Sequence, residues 1–268
     1  MIPILALFIL AVIQGLTEFL PVSSSGHLVL ARSLLPGGDL FQTDGALEVL
    51  LHLGTLGAIL FYFRKHGLRL FREAFSATSE APIARHVLLI LIAGTLPLVV
   101  VTLLGRDRLD SLFQSPTLAS SGLLATAGLL AFSRSARRGN RKLESLTLGQ
   151  GLCLGMAQAC ALCPGVSRSG AVIVAGLILG LAPAAAFEFA FLLAIPALAG
   201  AGIWHFWMKA ETPSPELLDW VVGVGTSLGV GLVALALLAK VVRGNKLHYF
   251  APWCAAVGSV GLVATWAA

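Results

Sequence analysis

Gln14-Gly-Leu-Thr-Glu18-Phe-Leu-Pro21-Val-Ser23-Ser24-Ser25-Gly26-His27 interrupts an apolar run that begins at Ile2. A second interruption, Cys163-Pro164-Gly165-Val166-Ser167-Arg168-Ser169-Gly170, falls in the apolar region 146–183. Each sets an ionisable side chain at the depth of a lipid bilayer, where charge is expensive and marks a functional site. Each is broken by Pro and Gly, and non-helical backbone survives there only when covered by protein or lining a wet cavity. Helix, break, helix is the pattern of a re-entrant hairpin. The chain therefore reads as an all-α polytopic membrane protein.

Composition agrees. Of 268 residues, 57% are hydrophobic and 12% charged, with a mean hydropathy of +0.90. An outer-membrane barrel would alternate apolar and polar residues instead of running apolar for whole segments. The first run, Ile2 to Ile13, has no basic segment before it and leads into Gln14 and Glu18. It reads as a hairpin helix and not as a cleavable signal. Nucleic acid is excluded as a partner, because the net charge of +5 is the loop charge that orients a membrane protein. Cys160 and Cys163 form a C-x-x-C without a second pair or paired histidines; with Cys153 and Cys254 they read as small buried hydrophobes.

Six uninterrupted segments are long enough to span, given about 20 residues or slightly fewer per crossing. They cover Leu47–Phe63, Val87–Leu104, Thr117–Phe132, Phe187–Trp207, Trp220–Val242 and Ala251–Ala268. The order is hairpin, three spans, basic loop, hairpin, three spans. This gives one integral membrane domain over 1–268, with halves at about 1–132 and 146–268 joined by loop 133–145. Gln14 falls over Gln158 and Glu48 over Glu188, with Pro21 near Pro164 and Ser24 near Ser167. Three spans per half is an odd number, so the halves should be inverted repeats, each a re-entrant helical hairpin plus three transmembrane helices. Thirteen of the eighteen basic residues fall in 64–86, 133–145 and 240–249. The layout places these three regions on one face, the cytoplasmic one. Both termini and the mouth of the first hairpin then lie on the opposite face. The GxxxG at Gly225–Gly229, flanked by Gly223 and Gly231, suits close packing inside the monomer or a homodimer; the former is expected here.

Gln14 and Glu18 are four apart and share a helix face. That helix should end near Pro21, and His27 with Leu28 should begin the return helix. Ser23-Ser24-Ser25-Gly26 then supplies hydroxyls and free amides, a natural phosphate cradle at a helix N-terminus. Arg168 offers a planar fork suited to phosphate oxygens. A structural ion pair of Glu18 with Arg168, or serines that merely bond backbone carbonyls, would be the plainer reading. Glu48 and Glu188, also in apolar segments, either function or satisfy the opposing hairpin.

These residues carry a resemblance. Q-G-L-T-E-F-L-P-V-S-S-S-G-H at 14–27 and P-G-V-S-R-S-G at 164–170 resemble the two signature motifs of the bacterial undecaprenyl-diphosphate phosphatase family, also known for bacitracin resistance. The likeness runs over the whole chain, including Phe187–Pro196. It implies an enzyme of the bacterial inner membrane that hydrolyses a long-chain isoprenyl diphosphate to the monophosphate carrier of cell-wall synthesis, with its site toward the outer face. Among lipids, that substrate is the expected partner. By this resemblance Glu18, Ser24, His27 and Arg168 are catalytic, and Gln14, Ser23, Ser25, Ser167, Ser169 and Gly170 bind substrate. Glu18 would be general base or hold a divalent cation, Mg²⁺ or Ca²⁺, on the phosphates; no dedicated metal cage is visible and no organic cofactor is implied. His27 would give or take a proton, and Arg168 would offset developing charge. Ser24 is the candidate nucleophile, with direct attack by water the alternative. Gln14 replaces a frequent Glu, Val172 a frequent Thr and Cys163 a frequent Trp.

Ser25-Gly26-His27 also resembles part of the acid-phosphatase-like lipid phosphatase signature, but Glu73 follows Lys65…Arg72 where that class has Pro, and no suitable histidine follows Arg168. The remaining rival is a lipid-phosphate flippase on the same inverted repeat, gripping the head group with Arg168 and needing no nucleophile.

Overall fold

A computed structural model describes residues 4–34, 45–135, 139–208 and 216–267. Among these the chain is helical throughout, apart from turns, two single-turn 3₁₀ segments and one bridge between Arg141 and Leu181. The first hairpin comprises α1 (Ile4–Thr17) and α2 (Ser24–Leu34). Then come α3 (Gly45–Tyr62), α4 (Arg64–Ala74), α5 (Ala81–Leu112) and α6 (Pro116–Phe132). The second hairpin, α7 (Leu148–Cys160) and α8 (Arg168–Ile178), precedes α9 (Pro183–Met208), α10 (Leu217–Arg243) and α11 (Ala251–Ala267).

All six expected spans are helices. Four stretches are long and apolar enough to cross a membrane by length and composition: Ala81–Gly105, Pro183–Ile203, Leu217–Arg243 and Leu247–Ala267. α3 and α6 are shorter. At 1.5 Å per residue, the hairpin helices reach only about 16 to 21 Å, short of a hydrocarbon core of about 30 Å. Their outward neighbours are exposed apolar side chains such as Leu89, Ile92, Leu103 and Leu104 on α5 and Val260, Val263 and Trp266 on α11. Apolar surface on that scale belongs against lipid.

Each first hairpin helix packs mainly on a helix of the other half of the chain: α1 on α10, and α7 on α5. α6 pairs with α11, while α3 lies between α10 and α9. Glycines permit the closest of these approaches. A Cβ on Gly155 would meet the backbone of Gly94, and one on Gly15 would stand 2.9 Å from the Ser227 carbonyl. The centre is an aromatic cluster: Phe19 meets Phe191 edge-on at 5.6 Å between centroids, and Phe63 and Phe187 pack around Phe191. Phe19 follows Glu18 directly, so this packing fixes the first break inside the core.

α1 ends at Thr17, and two further bonds of helical spacing, from Glu18 N to the Gln14 carbonyl and from Leu20 N to the Leu16 carbonyl, carry the turn up to Pro21 as expected. Three expectations need correction. α2 begins at Ser24, not at His27, because Ser23 caps it. The GxxxG pair is not packed inside the monomer: a Cβ on Gly225 or Gly229 would meet nothing within 4 Å, whereas Gly223 and Gly231 abut Leu50 and Phe19. Of the four cysteines, Cys254 is buried, Cys163 half-buried, and Cys153 and Cys160 exposed, all as free thiols.

The basic segment 64–86 also contains α4, which was not foreseen. Leu70 and Ala74 face the protein, Leu68, Phe71 and Phe75 are exposed, and Arg64, Lys65, Arg69 and Arg72 flank them. This is the composition of a helix lying in a membrane interface. His66 ties it to α9 through Glu188, at 2.7 Å. Glu48, the expected repeat mate of Glu188, has its side chain outside the described residues.

Candidate active site

Both breaks carry the same serine cap, although Ser23 is left-handed and Ser167 extended. Ser23 adopts left-handed backbone (φ 68°), and its Oγ accepts the amide of Gly26 at 3.3 Å. Ser167, the N-cap of α8, accepts the amide of Gly170 at 3.1 Å. Each capping hydroxyl lies 3.2 Å from the hydroxyl two residues on, Ser25 in one break and Ser169 in the other. Serine is favoured at such a position because its short oxygen satisfies an amide that the helix cannot.

The two breaks touch. A Cβ on Gly26 would lie 2.8 Å from the Gly165 Cα, and the Gly165 amide donates to Ser25 Oγ at 3.4 Å. Gly165 itself has φ 89°, which favours glycine, and a Cβ there would strike the Ala119 carbonyl. Thr126 on α6 clamps the second break: its Oγ1 donates to the Gly165 carbonyl at 2.8 Å and accepts the Ser167 amide at 3.0 Å.

Glu18 is where the contacts converge. Its side chain is 7% exposed. Oε2 accepts from Ser24 Oγ at 2.8 Å and from Gln14 Nε2 at 3.1 Å. His52 Nε2 stands 3.7 Å from the same oxygen, and Arg168 Nη1 is 3.6 Å from Oε1. Neither distance makes a hydrogen bond. Arg168 Nη1 is buried and has no hydrogen-bond partner in the protein, as is also true of Gln14 Oε1. Buried polar groups are rarely left unpaired, so the guanidinium retains a donor for something that enters the site.

A cavity of about 150 Å³ lies here. Its polar wall is Thr17, Glu18, Ser23, Ser24, Ser25, His52, Ser167 and Arg168; Leu28, Phe113, Ala161, Leu162 and Val166 make the apolar one. Both helix N-termini border it, and each carries partial positive charge. One guanidinium, two helix ends and a row of hydroxyls form an anion site, and the Ser24–Glu18 hydrogen bond gives it a hydroxyl whose proton has somewhere to go. The cavity reaches Phe113, at the end of α5 opposite to Arg85.

The structure thus brings Glu18, Ser24, Arg168, Ser23, Ser25 and Ser167 around one cavity. Gln14 supports Glu18 from behind, and Ser169 and Gly170 lie behind Ser167. His27 is placed differently. Its Nδ1 bonds the Ser23 carbonyl at 2.8 Å, its Nε2 accepts from Trp253 Nε1 at 2.9 Å, and its ring lies parallel to that indole. It does not border the cavity. Two residues that do matter here escaped the sequence reading, His52 and Thr126. An ionisable residue inside the Leu47–Phe63 span was the available signal for His52; Thr126 gave none.

Among the described residues no group of three or more His, Cys, Asp or Glu is arranged to hold a metal ion. Glu18 is the cavity's carboxylate, and its oxygens already face Ser24, Gln14 and Arg168. That donor set fits an ion shared with phosphate oxygens, not an all-protein cage.

Residues 7–260 match the family model described as bacitracin resistance protein BacA. The chain is 36% identical over 261 residues to a protein of Geotalea daltonii named undecaprenyl-diphosphatase, covering 95% of this chain and 96% of that one. It is 38% identical over 264 residues to the undecaprenyl-diphosphatase of Syntrophotalea carbinolica, covering 94% and 95%. With the protein of that name from Korarchaeum cryptofilum it shares 37% identity over 259 residues, covering 93% and 95%.

Proposed function

The chain belongs to the bacitracin resistance protein BacA family, and from that membership and the Glu18 cavity we propose that it hydrolyses undecaprenyl diphosphate to undecaprenyl phosphate and inorganic phosphate. The observation that carries the chemistry is the 2.8 Å hydrogen bond from Ser24 Oγ to Glu18 Oε2, beside a guanidinium with an uncommitted buried donor.

Glu18 takes the Ser24 proton as Ser24 Oγ attacks the terminal phosphorus. The bridging P–O bond breaks and lipid monophosphate leaves. Water then attacks the phosphoserine, and Ser24 recovers its proton. Arg168 and the first-turn amides of α2 and α8 hold the phosphate oxygens and offset charge that grows in the transition state. Ser23, Ser25 and Ser167 orient the head group. A Mg²⁺ or Ca²⁺ ion would be held by Glu18 together with the phosphates and would neutralise charge there. His27, tied to Ser23 and Trp253, sets the curvature of the serine loop. The apolar wall receives the first isoprene units.

The inverted repeat is part of this reading. Support comes from the shared Ser-x-x-Gly caps at 23–26 and 167–170, and from the exchanged packing of α1 on α10 and α7 on α5. These caps pair Ser23 with Ser167, the same offset as Gln14 with Gln158, so Ser24 corresponds to Arg168. Topology follows: residues 64–86 and 133–145 cytoplasmic, the cavity open to the outer face of the cytoplasmic membrane. A flippase on this frame would need Arg168 but not the Ser24–Glu18 hydrogen bond.

Phosphate release by purified protein in proteoliposomes, supplied with undecaprenyl diphosphate, tests the proposal. Release by the wild type and its loss in Ser24→Ala are expected. Lipid movement without release in the wild type would favour the flippase.

A further inference from the structure

Trp253 lies in the first turn of α11, 226 residues from His27, and is 56% exposed. Its indole has one polar group, an N–H that can only donate. That group addresses His27 Nε2 from 2.9 Å. The two rings are within 3° of parallel, with centroids 6.1 Å apart. Stacked faces would stand about 3.5 Å apart, farther than these nitrogens are, so the rings meet edge to edge in nearly one plane. A donor-only partner decides the state of the imidazole: Nε2 presents its lone pair, and the single ring proton sits on Nδ1. Nδ1 is 2.8 Å from the Ser23 carbonyl and donates to it. The His27 amide donates to the same carbonyl at 3.3 Å. Ser23 is the residue with φ 68°, a conformation that a serine holds only when its surroundings impose it. Neighbours of Trp253 set α11 against the break. Cys254 Sγ donates to the Pro21 carbonyl at 3.8 Å, and a Cβ on Gly261 would lie 3.0 Å from Leu30 of α2.

We infer that Trp253 is a positioning residue for the reaction: by occupying His27 Nε2 it keeps the ring proton on Nδ1, and that proton holds the Ser23 carbonyl and with it the left-handed turn that aims Ser24 at Glu18. The inference deepens the hydrolase reading above and rests on it. It adds no covalent step, and the imidazole exchanges no proton. His27 thereby has a part different from the one the family resemblance implies. A ring with its N–H on Ser23 and its lone pair on Trp253 has neither left to offer a phosphate. The plainer part for Trp253 is that of an interfacial anchor, common for tryptophan at membrane surfaces. An anchor needs no fixed partner for its N–H and has no reason to share a plane with a loop histidine. The path from Trp253 to Ser24 is two hydrogen bonds and one peptide link, and Ser24 then bonds Glu18. Misplacing a reacting group by about 1 Å can cost about 10²-fold in rate, so a single bond at the root of the serine loop is felt at the chemistry.

Two measurements test this. The first is the ¹⁵N NMR spectrum of histidine-labelled protein in liposomes, with His27 assigned by the signals lost in His27→Phe. The wild type should show a protonated Nδ1 and a hydrogen-bond-accepting Nε2, and Trp253→Phe, which keeps a ring and loses the donor, should remove the accepting signature. The second is the rate of phosphate release in proteoliposomes. Trp253→Phe should lower kcat about 3- to 10-fold, the effect of one ordinary hydrogen bond, with KM changed by less than about twofold. In a His27→Phe background, itself slower than wild type, the same substitution should change kcat by less than about twofold, because its route is gone. A wild-type His27 protonated at Nε2 would overturn the inference, whether or not the variants fold. So would wild-type kcat in Trp253→Phe, or a loss that recurs undiminished in the His27→Phe background, since Trp253 would then act without His27. All three results leave the hydrolase reading intact. A wild type that releases no phosphate would overturn that reading instead, whatever the spectrum shows.

Discussion

Glu18 accepts hydrogen bonds from Ser24 and Gln14 through one oxygen and faces Arg168 with the other. Removing its charge takes away the base and leaves the half-buried Arg168 guanidinium without its counter-ion. Glu18→Gln should therefore slow phosphate release by about 10²- to 10⁴-fold, the range of a lost general base. Gln14→Ala, which removes a support and no charge, should cost less than about tenfold, equivalent to one ordinary hydrogen bond of about 1 kcal/mol. Arg168→Lys keeps the charge and loses the fork. Initial rates should fall about 10- to 100-fold, as expected for charge-assisted contacts of about 1.5–3 kcal/mol. Rates near wild type in Arg168→Lys would mean that a point charge suffices. Much of this set was legible beforehand, since carboxylates and guanidiniums are conspicuous in apolar sequence. The orientation of His27 was not, because its partner Trp253 is 226 residues away and no local pattern connects them. His52 was equally hidden, its approach to Glu18 depending on which turn of α3 packs beside the break.

Element boundaries show which local rules won. Pro21 marks the limit of α1: the helix is regular to Thr17, its last bond of helical spacing runs from Leu20 N to the Leu16 carbonyl, and proline has no N–H to continue the ladder. All six expected spans are helices, and length and apolarity suffice for crossing in four of them. α4 was missed because its charges masked an apolar face with helical spacing. Glycines give the sharpest test at this scale. Gly165 combines positive φ with contact against α6, so Gly165→Ala should lower the melting temperature in detergent and abolish activity, through strain of about 1 to 3 kcal/mol plus displacement of α6. Gly229→Ala, with open space around it, should be neutral or stabilise by up to about 1 kcal/mol. If both variants melt alike, Gly165 does not pack against α6 as described. Thr126→Val removes a clamp with a nearly equal volume. It should cost about 1–3 kcal/mol by leaving the Gly165 carbonyl and Ser167 amide unsatisfied, read as a lowered melting temperature.

On the scale of the whole molecule, two short hairpins from distant parts of the sequence close one cavity, while longer helices wrap them against lipid. The order of hairpins and spans was legible from apolarity and Pro/Gly breaks alone; the exchange of partners, α1 on α10 and α7 on α5, was not, because apolar faces do not name their neighbours. The exchange explains why neither half should work by itself: each hairpin is held by the other half's span. Orientation is open to a direct check. A cysteine at Lys65 in α4, in a cysteine-free background, should resist an impermeant thiol reagent applied to intact cells and react once the membrane is opened. The central claim is that one diphosphate touches both hairpins. Its most direct test is an experimental structure with a methylene-bridged, non-hydrolysable isoprenyl diphosphate. The terminal phosphate should lie within about 3 Å hydrogen-bond reach of both Ser24 Oγ and the Arg168 guanidinium, with the chain leaving along the apolar wall. A head group bound elsewhere, or held by one hairpin while the other stands apart, would contradict the account.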